Sequence, residues 1–142
     1  MLDTDISSYI IKANNPALAQ KLDSCKSDSI SISSITYAEL MAGAKKKNSP
    51  ALFARIKMFL SLVNVMDFDK AAGDEYAVIR TALTENGTLI GNMDMLIAAH
   101  AKSCGAILVT NNEKHFSKIP DFRFENWIGH HVWLGNTRLE FA

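Results

Sequence analysis

Acidic and amide side chains recur in this sequence where a predicted β-strand gives way to a helix or a turn. Asp3 ends the opening run MLDT, and Glu39 enters the helix that follows the run SISIS. Asp94 enters the helix of MLIAAHA, and Asn112 follows the run AILVT. In a parallel sheet, functional groups collect at the edge where strands end and the following helices begin. We therefore expect these four side chains to converge.

Each of the four also has a local explanation. Asp94 in the first turn of a helix is favoured by the helix dipole, by roughly 0.3 to 1 kcal/mol. The pattern Thr36-x-x-Glu39 before an apolar run matches a capping box, and asparagine is common in turns such as that of Asn112. Asp3 is harder to explain locally, because a strand carboxylate is partly desolvated and has no basic neighbour in sequence. Each local explanation accounts for one residue, but none accounts for the presence of all four residues after predicted strands.

A divalent cation would resolve the conflict that such a convergence creates. Carboxylates gathered at a dry edge repel one another, and without a partner at least one takes up a proton. Oxygen ligands suit Mg²⁺ or Mn²⁺ rather than zinc, since no cysteine or histidine pair is near in sequence. A cation of this kind can activate water for in-line attack and shield a phosphate, so the pattern indicates phosphodiester hydrolysis.

The elements that must position these residues alternate between short β-rich runs and longer helical patterns. This alternation predicts an α/β protein, a three-layer α/β/α sandwich with a central parallel sheet of about five strands. Asp5 is the predicted N-cap of the first helix, Asn15 and Pro16 begin the second, and Asn92 caps a buried helix over MLIAAHA. The run FRFENW is predicted to be an edge strand.

Composition bounds the class of molecule without choosing its partner. The chain has 142 residues, and its 15 basic and 15 acidic side chains cancel. Its first residues, MLDTD, are acidic where a secretion signal is basic, and no apolar run is long enough to cross a bilayer. We expect a cytoplasmic protein with no membrane partner, and we expect Cys25 and Cys104 to be reduced thiols in a core.

Four segments together resemble PIN-domain ribonucleases, and specifically the VapC toxins of bacterial toxin–antitoxin pairs. They are MLDTD, SSITYAEL, IGNMDMLIAAHA, and LVTNNEKHF followed by FENW. The resemblance runs from residue 1 to about Trp127. It implies an α/β/α fold, a homodimer, and Mg²⁺- or Mn²⁺-dependent endonucleolytic cleavage of RNA, either transfer RNA or ribosomal RNA. It also implies a cognate antitoxin of the VapB type that blocks the site.

The resemblance also assigns roles to individual residues. Asp3, Glu39 and Asp94 match the acidic positions that hold metal in the family. The fourth family position falls on Asn112, whose neutral amide implies a weak second metal or none. Three further residues support the site in this comparison: Thr4, Asp5 and Thr110. Asp5 stands where the family commonly carries asparagine, and it either adds charge or caps the helix, of which we favour the cap.

The domain prediction places a PIN-like nuclease domain at residues 1–127 and a C-terminal extension at residues 128–142. The extension matches nothing in the family, and the sequence leaves open whether it is disordered, an appended tail or an extra packing element. A metal role for the adjacent His130 and His131 is disfavoured, because paired histidine ligands are usually spaced i, i+4. His100 and His115 are interpreted as buried or surface histidines rather than catalysts.

Basic residues give a set of candidates for RNA contact, although a lysine run at the end of a helix is usually a solvated terminus. The candidates are Lys45, Lys46, Lys47, Arg55, Lys57, Arg80, Lys114 and Lys118. Two rival functions remain open at this point. Asp3-Thr4-Asp5 also spells the start of haloacid-dehalogenase-like phosphatases, with Asp3 as nucleophile, and a non-catalytic partner-binding domain would use the acids as caps.

Overall fold

The computed structural model describes residues 1–140. Its helices are α1 Thr4–Lys12, α2 Pro16–Ser24, α3 Ser34–Lys47, α4 Pro50–Leu60, α5 Lys70–Glu85, α6 Asn92–Ser103 and α7 Glu113–Phe116. Its strands are β1 Ser31–Ser33, β2 Asn64–Met66, β3 Leu108–Val109, β4 Arg123–Asn126, β5 His131–Leu134 and β6 Thr137–Leu139. Phe141 and Ala142, the last residues of the predicted extension, lie outside the described residues.

A single residue, Leu2, joins the two halves of the sheet. It pairs in parallel with Ile32 of β1 on one side and with Val109 of β3 on the other. β2 is parallel to β1, and β4 is parallel to β3. The resulting order is β2-β1-Leu2-β3-β4-β5-β6, in which the last two strands are antiparallel. The predicted α/β fold is confirmed, and the parallel part of the sheet runs from β2 to β4.

Side-chain alternation along the strands separates two apolar cores, one on each face of the sheet. Met1 and Leu108 belong to the core packed under α5, α6 and α7, whereas Leu2 and Val109 belong to the core under α1 to α4. Neighbouring residues of one strand therefore point to opposite layers. The chain forms the three-layer arrangement that the sequence predicted.

The N-caps of two helices differ from the prediction. Asp3, not Asp5, caps α1, because its carboxylate accepts the Ile6 amide hydrogen and its backbone is extended. Gly91, not Asn92, precedes the first turn of α6. The prediction for α2 holds, since Asn15 caps that helix and Pro16 is its first residue. Capping by Asp3 places the acid at the junction of strand and helix instead of inside the strand.

The C-terminal segment is an extra packing element. β5 pairs with β4 and β6 pairs with β5, so β4 lies inside the sheet and the predicted edge position of FRFENW is wrong. Trp133 stacks on Phe124 with a centroid separation of 5.7 Å and an interplanar angle of 6°. The hairpin formed by β5 and β6 thus extends the sheet and covers Phe124 of β4.

Two other expectations concern the surface. Cys25 is half-buried and Cys104 is exposed, so the prediction that both thiols lie in a core is wrong for Cys104. None of the helices within residues 1–140 combines the length and the apolar character needed to span a bilayer.

Candidate active site

The site lies at the sheet edge where Leu2, β1 and β3 end. Asp3 follows Leu2 directly, and its amide donates to the Val109 carbonyl at 3.0 Å. Thr110 follows β3 and is fully buried. Because Leu2 lies between β1 and β3, the start of α1 is flanked by the start of α3 and by the turn after β3.

Asp3 is the most buried carboxylate of the site, with only 3% of the residue exposed. Its Oδ1 accepts from the Ile6 amide at 2.8 Å. Burial raises the pKa of Asp3 to about 7, against the lowering effect of hydrogen bonds from Thr110 and Ile6. Asp5 and Asp94 add negative charge and raise that pKa further. Among the described residues, no cationic side chain forms an ion pair with Asp3.

Glu39 joins the site through the hydroxyl of Thr4. Thr4 Oγ1 lies 2.6 Å from Glu39 Oε1 and 3.1 Å from Thr36 Oγ1. The predicted capping box of Thr36 and Glu39 is wrong, because Ser33 caps α3 by accepting from the Ile35 amide. Glu39 therefore sits in the second turn of α3, with its carboxylate turned towards α1.

Asp94 contacts a histidine that the sequence interpretation had set aside. Nδ1 of His115 lies 3.0 Å from Asp94 Oδ2 and 2.8 Å from Asn112 Nδ2. Because one ring nitrogen cannot donate and accept at once, His115 binds either the carboxylate as an N–H or the amide as a lone pair. The i, i+3 spacing of Asn112 and His115 in the sequence is consistent with the contact between these two side chains. It does not indicate the contact of His115 with Asp94.

The turn after β3 positions Asn112 relative to Asp3. Thr110 Oγ1 accepts from the Asn112 amide at 2.9 Å, and the same hydroxyl hydrogen bonds to Asp3. One buried threonine therefore connects Asp3 with the segment that carries Asn112 and His115.

Asp5 contributes charge rather than a cap. It is exposed in the first turn of α1, and its charge raises the pKa of Asp3. Of the two roles considered for this residue, the cap is wrong, because Asp3 caps α1.

The oxygen donors fit a hard divalent cation, but they do not close around one in this arrangement. Within residues 1–140, no three His, Cys, Asp or Glu side chains stand together in the geometry of a metal site. The Glu39 carboxylate is engaged by Thr4, and the Asp94 carboxylate is engaged by His115. A cation shared by the acids requires at least one of these hydrogen bonds to be exchanged.

His100 is buried, which agrees with the sequence interpretation of a buried or surface histidine. Its Nδ1 lies 2.7 Å from the hydroxyl of Ser33, the cap of α3, and its ring meets Phe68 edge to face. Burial lowers the pKa of His100 against the opposing effect of Asp69 and Asp67, so the neutral ring is favoured. The contact ties α6, which carries Asp94, to the start of α3, which carries Glu39.

All of the candidate RNA-contacting basic residues are exposed. Lys45, Lys46 and Lys47 form the last turn of α3, where positive charge complements the helix dipole. The side chain of Arg80 has polar contacts near Asp94, since its Nη1 lies 2.8 Å from both Tyr76 Oη and Asn92 Oδ1. This arrangement places a guanidinium beside the start of α6, two residues before Asp94.

Comparisons with known proteins agree with this architecture. The sequence profile of the PIN domain matches residues 1–121. Ribonuclease VapC2 of Rickettsia felis is 40% identical over 129 residues, which cover 89% of this chain and 96% of the relative. The tRNA(fMet)-specific endonuclease VapC of Shigella flexneri is 39% identical over 128 residues, which cover 89% of this chain and 96% of the relative.

Solved structures give the same result. A crystal structure of VapBC2 from Rickettsia felis bound to promoter DNA superposes with a TM-score of 0.84 at 40% identity, covering 89% of this chain and 97% of that chain. DNA-bound VapBC from Salmonella typhimurium superposes with a TM-score of 0.83 at 37% identity, covering 89% and 96%. The chain therefore belongs to the PIN-domain family and, within that family, to the VapC toxin ribonucleases.

The burial of Asp3 predicts a pH-dependent stability in the absence of metal. The pKa of about 7 in the fold lies above the ordinary value of 3.8, so the folded chain binds more protons between these limits. The contribution of Asp3 to the free energy of unfolding is full below about pH 4 and is lost as pH rises through 7. Thermal melting in EDTA should show this loss in the wild type and not in Asp3→Asn, which retains a capping oxygen.

Asp23→Asn is the matched control, since it removes one carboxylate from the exposed surface of α2. The expected result is that Asp3→Asn melts several degrees above both other proteins at pH 8. A difference between Asp3→Asn and wild type that is the same at pH 5 and pH 8 would contradict the assignment.

Proposed function

We propose that the chain is an Mg²⁺- or Mn²⁺-dependent endoribonuclease in which Asp3, Glu39 and Asp94 hold the cation and Asn112 completes the site. The observation that carries this proposal is the burial of the Asp3 carboxylate. The charges of the neighbouring residues Asp5 and Asp94 are also negative, so they do not compensate it. Family membership favours nuclease chemistry over the phosphatase and the non-catalytic alternatives.

The cation would neutralise the acids, shield the charge of the scissile phosphate and lower the pKa of an attacking water. The chain's own residues do the positioning. The Ile6 amide and Thr110 hydroxyl fix the Asp3 carboxylate, and the Thr4 hydroxyl holds Glu39 at the same edge. His115 orients Asp94, and Asn112 offers a neutral amide for hydrogen bonding to RNA or water.

The substrate we propose is a structured RNA, with transfer RNA as the first to test. Relatives from Shigella flexneri and Salmonella typhimurium are named as tRNA(fMet)-specific endonucleases, at 39% and 38% identity. Cleavage of cellular RNA would place the protein in the cytoplasm. As in the resemblance, we propose that the active form is a homodimer.

The partner we propose is a VapB-type antitoxin, because related chains were crystallised as VapBC complexes. A groove of about 120 Å³ between α1, α3 and α4 leads to Glu39 and is floored by apolar residues that include Ile11, Leu40 and Ile56. An antitoxin segment with apolar side chains followed by a basic one would fill the groove and pair with Glu39, which blocks the site.

Asp3→Asn and Asp94→Asn should each lower RNA cleavage by more than about 100-fold and remove growth arrest on expression, because each deletes one proposed ligand charge. The measurement is sequencing of the RNA ends that appear when the chain is expressed alone. Asp23→Asn serves again as the control. A folded Asp3→Asn protein that cleaves RNA at the wild-type rate would contradict the proposal.

Metal removal separates a nuclease from a binding domain. We expect EDTA to abolish cleavage of transfer RNA by the purified chain and Mn²⁺ to restore it. Mg²⁺ should also raise the melting temperature of the wild type at pH 8 but not that of Asp3→Asn, since the cation relieves the buried charge. Full activity in EDTA would be incompatible with the proposed chemistry.

His115→Ala should raise the Mg²⁺ concentration needed for half-maximal cleavage by about tenfold, because hydrogen-bond partners of metal ligands typically contribute 10- to 100-fold. A Mg²⁺ titration of the initial cleavage rate measures this. Asp23→Asn, which changes an exposed side chain outside the site and the cavities, is the control. An unchanged titration curve for His115→Ala would show that the contact with Asp94 plays no part.

A further inference from the structure

A cavity of about 550 Å³ opens between α2 and the turn that joins β4 to β5. Its volume falls within the roughly 300 to 1,000 Å³ of small-ligand pockets. The walls include Lys21 from α2, Asn126 from the end of β4, and Trp127 and His130 from the turn that follows β4. Lys21 lies within the segment that the PIN domain profile matches, whereas Asn126, Trp127 and His130 follow its end at residue 121.

The cavity is connected to the catalytic edge by hydrogen bonds. The Thr110 amide donates to the Glu125 carbonyl at 2.9 Å. The Asn126 side-chain amide lies 3.1 Å from both Asn111 Oδ1 and Glu113 Oε1, the two residues that flank Asn112. The wall of the cavity is thus one strand away from the turn that carries Asn112, and RNA bound at that edge would continue into it.

The wall has the chemistry that binds a single-stranded nucleotide. Trp127 is half-buried, and Lys21 Nζ lies 5.8 Å from the centroid of its ring. Glu125 is the acidic residue of the wall, and its carboxylate accepts from the Trp127 indole N–H at 3.0 Å. An aromatic face beside a cation is the combination on which proteins stack bases while neutralising phosphates.

The polar residues that line the cavity also include His131. His131 Nδ1 contacts Glu113 Oε1 at 2.6 Å, and Arg138 Nη1 lies 3.5 Å from His131 Nε2. Gln20 lines the cavity from α2 and can meet the polar edge of a base. Within residues 1–140, the Lys21 ammonium has the cation–π contact with Trp127 and no ion pair. An exposed contact of this kind contributes roughly 0.5 to 1 kcal/mol, so a phosphate can displace it.

We propose that this cavity binds a nucleotide of the RNA substrate adjacent to the scissile phosphate, with the base stacked on Trp127 and the phosphate paired with Lys21. The inference rests on the proposed endoribonuclease function and adds to it a substrate-binding subsite. The C-terminal strand β5 contributes His131 and Val132 to the lining of the subsite.

The test compares folded full-length variants in two assays. Anisotropy of a labelled single-stranded RNA of about 12 nucleotides reports binding to the Asp3→Asn chain, and cleavage of transfer RNA by the otherwise wild-type chain gives KM and kcat. The variants are Trp127→Leu, Trp127→Phe and Lys21→Ala. Lys26→Ala, an exposed lysine just beyond α2 and outside the cavity, is the matched control.

Trp127→Leu should weaken RNA binding by about 5- to 100-fold, whereas Trp127→Phe, which can still stack, should retain most of the affinity. Lys21→Ala should lower the slope of log affinity against log salt by about 0.7, the value for one phosphate contact on a single strand. The cleavage defects should appear in KM rather than kcat. Lys26→Ala should resemble its parent in both assays.

Melting curves establish that each variant is folded before it is compared. If the parent cleaves RNA and folded Trp127→Leu and Lys21→Ala proteins bind RNA as tightly as their parent, the subsite is overturned and the nuclease function stands. A parent that neither binds nor cleaves RNA would overturn both proposals.

Discussion

The burial of one carboxylate at the end of a central strand is the constraint to which the rest of the site responds. Asp3 follows Leu2, the residue that joins both halves of the sheet, so its position is fixed by backbone pairing on two sides. Its negative form is disfavoured by burial and by the charges of Asp5 and Asp94. Such a group is stable either as a protonated acid or beside a cation.

The other acids show how the fold tolerates this charge when no cation compensates it. Glu39 is held by the Thr4 hydroxyl and Asp94 by the His115 ring, so each carboxylate has a partner that is neutral or positive. These partners belong to α1, which begins directly after Asp3, and to α7, which begins in the turn after β3.

The sequence predicted the fold class and the edge that bears the site, because both follow from strand and helix periodicity and from residues directly after strands. It did not assign the caps of α1, α3 and α6 correctly, although it did assign that of α2. The pattern Thr36-x-x-Glu39 suits a helix start, but Ser33 caps first and moves Glu39 inside the helix. His115 was missed because its contact with Asp94 joins residues far apart in sequence, which only packing of α6 against α7 brings together.

The C-terminal hairpin shows why such a segment cannot be assigned from local pattern alone. β4 looks like an edge strand in sequence because the family resemblance ends beside it, yet β5 pairs along its whole length. An uncovered edge strand can associate with other chains, and the addition of β5 and β6 moves the edge of the sheet from β4 to β6. The turn between β4 and β5 is closed by Asn126, whose Oδ1 accepts from the Ile128 and Gly129 amides while its Nδ2 contacts Glu113. The turn after β3 is therefore fixed from two directions, by Asp3 through Thr110 and by the hairpin through Asn126, which holds Asn112 at the edge where the acids lie.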